Sequence, residues 1–299
     1  MKLGELRRLA VQTSLKSPTT LGRVVRKLGF IQADPIRAPA RAQDLILRHR
    51  VIGYRMGDLE QRFARLRLEE DYLYAYGFMP QATRELLHPR RDPDSPDGRH
   101  AASGLAADVL AFVRERGSVH PVDLEEAFGR ERAINGWGGF SKATTRALHA
   151  LQYYGLLRVA GRRGGIRVYE PASPCLELGS PEERLRRLVL LIAGILAPIS
   201  AASFNATLRL LGRGAPGLGS AAAAVKSLLA SGALESCAID GETYLWPAAL
   251  TATTVDDAPR AVRFLAPFDP IIWDRRRFEH LWGWPYRFEA YTPPKKRQF

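Results

Sequence analysis

Residues Ser141–Tyr169 read SKATTRALHALQYYGLLRVAGRRGGIRVY, and this stretch decides the fold. Apolar residues return at helical spacing from Ser141 to Tyr154, and Ser141 can cap the helix. Gly155 ends it. Leu156–Ala160 and Ile166–Tyr169 are short alternating segments on either side of Gly161-Arg162-Arg163-Gly164-Gly165, a tip that favours a tight reversal between two strands. Upstream stands another helical stretch, Leu105–Arg116, followed by Val119-His120-Pro121-Val122-Asp123-Leu124. Two helices, a strand, an Arg-Gly tip and a returning strand form a winged-helix pattern over residues 103–172.

The same grammar recurs on both sides without literal repetition. In residues 1–90, Leu3, Leu6, Leu9 and Ala10 form one helical stripe. Ser17-Pro18-Thr19 opens a second helix through Leu21, Val24, Val25 and Leu28, and Gly29 stops it. Phe30–Pro35 then reads as extended, before a third helix through Ala42, Leu45, Ile46 and Leu47. Prolines and turn formers make Pro89–Gly98 a linker. Residues 180–250 carry a helix over Pro181–Leu196, a short Ile199-Ser200 segment and a helix over Leu218–Ala230. A hairpin follows, with Asp240-Gly241 between Ala233-Leu234-Glu235 and Thr243–Trp246. Residues 260–299 look more β-like. The predicted fold is α+β and predominantly α: tandem winged helix-turn-helix domains with a C-terminal mixed or β element.

With 44 Lys and Arg against 31 Asp and Glu, the formal net charge is +13, which points to a polyanionic partner. A generically Arg-rich protein would show the same excess. The 2 cysteines, Cys175 and Cys237, are far apart and lack metal-ligand spacing, so neither a disulfide framework nor a metal site is expected. The N-terminus lacks the apolar core of a secretory signal. The longest apolar run, Leu188–Ala197, falls short of the ~18 residues of a membrane span. These features predict a cytoplasmic protein.

Three constellations could carry chemistry. In an extended Gln32-Ala33-Asp34, residues two apart project to one face, so an amide and a carboxylate would stand together. Asp34-Pro35 also reads as a helix N-cap followed by the first helical residue. The aromatic-rich Asp71–Pro80 stretch, with Tyr74 and Tyr76, suits either contact with an unstacked base or the edge of a core helix. Lys142 and Arg146 on the Ser141–Tyr154 helix, Arg162 and Arg163 at the tip, the Arg275-Arg276-Arg277 run and Lys295-Lys296-Arg297 are candidate phosphate contacts. Asp269-Pro270 reads as a turn or cap, and Asp274 as the partner of an arginine.

The C-terminal stretch LAPFDPIIWDRRRFEHLWGWPYRFEAYTPPKKRQF, Leu265–Phe299, adds more. Its FDPxxWDRRR pattern and later YTPxxKRQ stretch resemble the signature of the YcaQ-like winged-helix DNA glycosylases, relatives of AlkZ that unhook interstrand crosslinks. Ile31–Ile36 matches that family's Gln-x-Asp motif, where AlkZ-type relatives have Gln-x-Gln; the resemblance implies that Gln32 and Asp34 are catalytic. Phe78-Met79-Pro80 also matches, but Tyr74 stands where the family often has His. Asn135-Gly136-Trp137 resembles a Gly-Trp element ahead of the second domain's recognition-type helix. In the family the chain continues past KRQ with an aromatic-Gly-Tyr strand, so the C-terminal element is expected to be incomplete here.

The resemblance implies a monofunctional glycosylase that hydrolyses N7-alkylguanine nucleosides in duplex DNA, crosslinked ones included. No metal or nucleotide cofactor is expected. Its partner would be DNA bearing alkylated or crosslinked guanine, met by a monomer associated with the nucleoid. The alternative is a non-enzymatic winged-helix regulator, which should dimerise on palindromic sites.

Overall fold

The computed structural model describes residues 1–15, 18–34, 36–37, 39–90, 103–134, 140–173, 179–251, 262–289 and 292–298. Cys175, Asn135-Gly136-Trp137, Pro35 and most of the linker lie outside them. Helix α1 (Leu3–Ser14) buries Leu6 and Ala10, as its stripe predicts. These side chains do not pack within the first block. They join Ala197, Tyr244, Trp246 and Leu281 in a cluster that closes the N-terminus onto the C-terminal part of the chain. Helix α2 (Leu21–Leu28) starts after Thr20 and ends at Gly29, whose φ of 64° is the left-handed cap that glycine adopts without strain. The chain then runs through β1 (Ile31–Gln32), α3 (Ala42–Leu47), α4 (Asp58–Gln61), β2 (Leu68–Tyr72), β3 (Tyr76–Pro80) and α5 (Gln81–Leu87).

The aromatic stretch 71–80 is therefore a hairpin and not a helix edge. Strand β3 is the centre of an antiparallel sheet in the order β1-β3-β2, with Gln32 opposite Gly77 and Ile31 opposite Phe78. Alternation decides against the helix: Leu68, Phe78 and Ile31 point into one cluster with Val24, Val25, Leu28 and Leu47.

The second block contains α6 (Leu105–Arg116), α7 (Pro121–Phe128), β4 (Arg132–Ile134), β5 (Phe140–Lys142), α8 (Ala143–Tyr153), β6 (Leu157–Arg163) and β7 (Ile166–Pro171). Helix α7 has no counterpart in the expectation, although His120 caps it and Pro121 occupies its first turn. The cap of α8 is Lys142 and not Ser141, because β5 runs up to the helix. The hairpin is tighter than the five-residue tip suggests. Only Gly164 and Gly165 form the turn, at φ 60° and 81°, both in the left-handed region that a two-residue type I′ turn needs. Leu110, Val113, Leu148, Leu151, Leu157 and Val159 pack in a core belonging to this block.

The third block follows with α9 (Pro181–Ile195), β8 (Ile199–Ser200), α10 (Ala201–Gly214), α11 (Ala221–Ala230), β9 (Leu234–Ile239), β10 (Glu242–Pro247) and α12 (Ala248–Thr251). Asp240 and Gly241 make the expected turn, at φ 52° and 81°. The largest apolar cluster unites this block with the first: Phe30, Tyr74, Met79 and Leu86 pack with Leu188, Ile192, Phe204 and Leu245.

The C-terminal part corrects the expectation of a β-like element. Its described residues form α13 (Pro270–Trp273), α14 (Arg275–Trp282) and a 3-10 turn at Pro294–Lys296, with no strand among them. Two buried aspartates account for this. Asp269 caps α13 through Ile271 N–H at 3.1 Å, and Asp274 caps α14 through Arg277 N–H at 3.1 Å. Among the described residues the protein is mixed α and β, predominantly helical, with small antiparallel sheets. No described helix is long and apolar enough to cross a membrane.

Candidate active site

Gln32 and Asp34 belong to the edge strand β1 and the residues leaving it. The Ala33 N–H bonds the Tyr76 carbonyl at 3.0 Å, which extends the ladder one residue beyond the strand. Ile31 and Ala33 pack into the first block's apolar cluster. Gln32 and Asp34, on the alternate positions, are only half-buried. Across the sheet Gln32 faces Gly77, which has no side chain to cover it. The partner of Gln32 comes from far along the chain: Trp273 Nε1–H donates to Gln32 Oε1 at 3.0 Å.

Asp34 accepts the Ile36 N–H on Oδ1 at 2.8 Å, an Asx turn. No described residue from Ile36 to Arg41 is helical, and α3 begins at Ala42 with Arg41 as its N-cap residue. The helix-cap reading of Asp34 is thus replaced by a turn. Support from a helix N-terminus goes with it.

Tyr74 does not reach outward. It is 4% exposed, and its ring sits 5.0 Å from Phe30 and 5.1 Å, edge-on, from Trp273. Burial pushes its phenol pKa up, so the hydroxyl stays neutral. Stacking on a base by Tyr74 is replaced by a buttressing position behind Trp273. Tyr76 is half-buried, donates to Glu70 Oε2 at 3.1 Å, and has the Arg167 guanidinium 4.2 Å above its ring. Both of its faces of interaction are therefore internal.

Glu70 belongs to a run of three buried acids on β2, Glu69-Glu70-Asp71, that fastens the second block's hairpin to the first block. Arg162 places Nε 2.8 Å from Glu70 Oε1 and Nη2 2.6 Å from Oε2, a bidentate pair. This corrects the expectation for Arg162, which lies in β6 and not at the tip, its guanidinium committed to an internal carboxylate. Arg163 is exposed, with Asp123 3.7 Å away. Lys142 is paired with Glu125, and Arg146 is exposed on α8.

The C-terminal basic run divides sharply. Arg277 is 1% exposed, and its guanidinium donates to the carbonyls of Leu196, Pro198, Pro270 and Ile271. A phosphate contact by Arg277 is excluded by that enclosure. Arg275 is half-buried, 5.8 Å from the Tyr286 ring and 5.9 Å from that of Phe288. Arg276, Lys295, Lys296 and Arg297 are exposed, the last donating to Thr292 O at 2.9 Å. Asp274 accepts from Ser200 Oγ at 3.2 Å and Ser203 Oγ at 2.6 Å, so hydroxyls replace the expected arginine.

A groove of about 880 Å³ opens between α7, α8 and the β6–β7 hairpin, with Lys142, His149, Arg162 and Arg167 among its lining. Neither Gln32 nor Asp34 lines it. The two are linked through Gly165, where an added Cβ would stand 3.0 Å from Arg37 Nη2 and 3.3 Å from Arg41 Nη2. The loop that leaves Asp34 thus abuts the hairpin tip, an arrangement brought about by tertiary packing. Arg37, Arg41 and Trp273 were not among the expected site residues, though Trp273 lies within the quoted C-terminal pattern. No cluster of three or more His, Cys, Asp or Glu suited to a metal ion occurs among the described residues.

A family model described as DNA glycosylase AlkZ-like matches residues 25–299, a span that holds Gln32, Asp34 and the C-terminal pattern together. No solved structure matches the chain.

Proposed function

The chain belongs to the AlkZ-like DNA glycosylase family, and from that premise we propose that it hydrolyses the N-glycosidic bond of N7-alkylguanine in duplex DNA, including guanines joined in interstrand crosslinks. The observation that supports it is that Gln32 and Asp34, an amide and a carboxylate two positions apart on an edge strand and its extension, are each only half-buried. N7 alkylation leaves the base cationic, so its bond to the sugar is weakened before any protein group acts. The remaining tasks are to stabilise an oxocarbenium-like sugar and to deliver water. The Asp34 carboxylate serves the first and accepts the water's proton; Gln32 holds the water by hydrogen bonding.

A departing cationic base needs no general acid. Neither Gln32 nor Asp34 carries an amine that could form a Schiff base, and the proposed reaction stops at base release without strand cleavage. An interstrand crosslink cannot swing out as a single base does, which suits an open half-buried site better than a deep pocket. The helix–hairpin blocks act as winged helices. Exposed Arg146, Arg163, Arg276, Lys295, Lys296 and Arg297 are the proposed phosphate contacts of a monomer, with Lys142 and Arg275 beside them.

The test is release of free base from DNA carrying N7-methylguanine or a nitrogen-mustard crosslink. Asp34→Asn and Gln32→Ala should each slow release by about 10²-fold or more, in the range for a lost acid–base group. Release unaffected by both removes the site. No release by the wild-type chain, with dimeric binding to a palindrome, supports a regulator instead.

A further inference from the structure

We propose that Trp273 is a positioning residue that determines which end of the Gln32 amide meets the reaction; this inference rests on the function proposed for Gln32. The two ends of a glutamine amide have nearly the same shape and opposite hydrogen-bonding character. An indole N–H can only donate. With Trp273 Nε1 3.0 Å from the amide, the contacting atom must be the carbonyl oxygen Oε1, which leaves the NH2 group outward. Gln32 is thereby presented as a donor. Asp34, two residues on, supplies an acceptor, one of its oxygens being held by Ile36 N–H.

A donor beside an acceptor suits one water. The Gln32 NH2 binds one lone pair of the oxygen, and Asp34 takes one hydrogen, leaving the second lone pair for attack on the sugar carbon. The C–O bond forms as the C–N bond breaks; the bonding electrons leave with the cationic base, and the water's proton passes to Asp34.

Trp273 is held firmly enough for this task. Its backbone N–H bonds Asp269 O at 2.8 Å, and Asp269 is gripped by Arg50 at 2.7 and 2.9 Å. The next residue, Asp274, caps the following helix. The ring leans edge-on against Tyr74 at 5.1 Å, and Tyr74 is braced by Phe30. Gly77 opposite Gln32 leaves the amide no cross-strand side chain to choose its orientation.

Trp273→Phe keeps a ring and removes the donor. Single-turnover base release should fall about tenfold, the scale of one hydrogen bond, while affinity for undamaged DNA holds. Gln32→Glu, which turns only acceptors outward, should fall as far as Gln32→Ala. Trp273→Phe combined with Gln32→Ala should be no slower than Gln32→Ala alone. If Trp273→Phe melts early, the benzothiophene analogue of tryptophan at this position deletes the N–H and retains the shape.

The indole N–H resonance of Trp273 supplies a readout independent of catalysis, and Gln32→Ala should shift it and speed its solvent exchange. A moved resonance with no base release in any variant leaves the contact standing and sinks the proposed function. Base release that depends on Gln32 but proceeds at the wild-type rate without the indole N–H overturns the role of Trp273. Additive losses in the double variant overturn it too, because a merely structural tryptophan acts independently of Gln32.

Discussion

Arg50 and Asp269 meet fork to fork, Nη1 to Oδ2 at 2.7 Å and Nη2 to Oδ1 at 2.9 Å, with both side chains sealed from solvent. The same guanidinium also donates to Ser14 O, Ser14 Oγ and Ile46 O, so each of its three nitrogens has an acceptor. The pair joins the first block to the helix that carries Trp273. Removing one partner strands a buried charge, which costs about 3–5 kcal/mol. Asp269→Ala should lower the urea stability by that amount and reduce base release through Trp273. A loss below about 1 kcal/mol, the ordinary worth of a solvated pair, would show that water reaches this site.

Acid should weaken the fold in two successive windows. His88 is buried with Nε2 2.7 Å from Asp71 Oδ2. Burial, helped by the charges of Arg90 and Arg84, lowers its pKa to about 4 against the opposing pull of Asp71. An unfolded histidine takes up its proton near 6.5. Between these values the unfolded chain binds more protons, so stability falls as pH drops through the window, by up to about 1.4 kcal/mol per pH unit. Burial alone would raise Asp71, but Arg90 and His88 outweigh it and lower its pKa to about 2. Its contribution is present above the ordinary Asp range and fades as pH falls toward 2. Urea midpoints measured from pH 7 to pH 4 should decline, and His88→Gln should flatten that decline whatever it does to stability at pH 7. An unchanged slope would mean that another group titrates.

Gly77 keeps the strand that carries Gln32 in register. A Cβ at this position would lie 2.6 Å from two carbons of the Phe30 ring and would also press on the Ile31 carbonyl. Gly77→Ala should cost about 1–3 kcal/mol, the usual range for overpacking, and should slow base release by displacing Gln32. Gly4, inside α1 with open space where a Cβ would go, is the control. Gly4→Ala should leave base release unchanged and stabilise the helix by up to about 1 kcal/mol. Wild-type release by Gly77→Ala would show that the sheet edge tolerates the shift.

Local signals in the sequence were the readable ones. The Leu105–Arg116 helix, the Gly29 stop, the Asp240-Gly241 turn and the Gly164-Gly165 reversal each depend on residues within a few positions. Helix α10 is equally local in origin, with Ser200 as its cap and Phe204, Leu208 and Leu211 on one buried face. The β2–β3 hairpin was harder. Glu69 and Glu70 meet arginines some ninety residues away and Asp71 meets His88 and Arg90 beyond the following helix, so Glu69-Glu70-Asp71 resembles a solvated run until those partners are seen beside it. Likewise nothing local separates Arg277, enclosed by carbonyls, from exposed Arg276. At the candidate site the Gln-x-Asp spacing was visible, whereas the indole that orients Gln32 joins residues 241 positions apart.

That division within the basic run can be measured. Arg276 is exposed and is proposed to meet a phosphate; Arg277 is enclosed and holds Leu196, Pro198, Pro270 and Ile271 by their carbonyls. Neutralising a phosphate-binding side chain removes one counterion's worth of salt dependence, a change of about 1 in the slope of log K against log salt. Arg276→Ala should therefore weaken binding to any duplex and reduce the slope by about that much, with the melting temperature unchanged. Arg277→Ala should leave the slope alone and lower the melting temperature, because four carbonyls lose a buried donor. Lys295→Ala with Lys296→Ala should behave as Arg276→Ala does, twice over. If Arg277→Ala reduced the slope at an unaltered melting temperature, the enclosed side chain would have to open toward DNA, and the packing of α14 against β8 would be a closed state of a movable element.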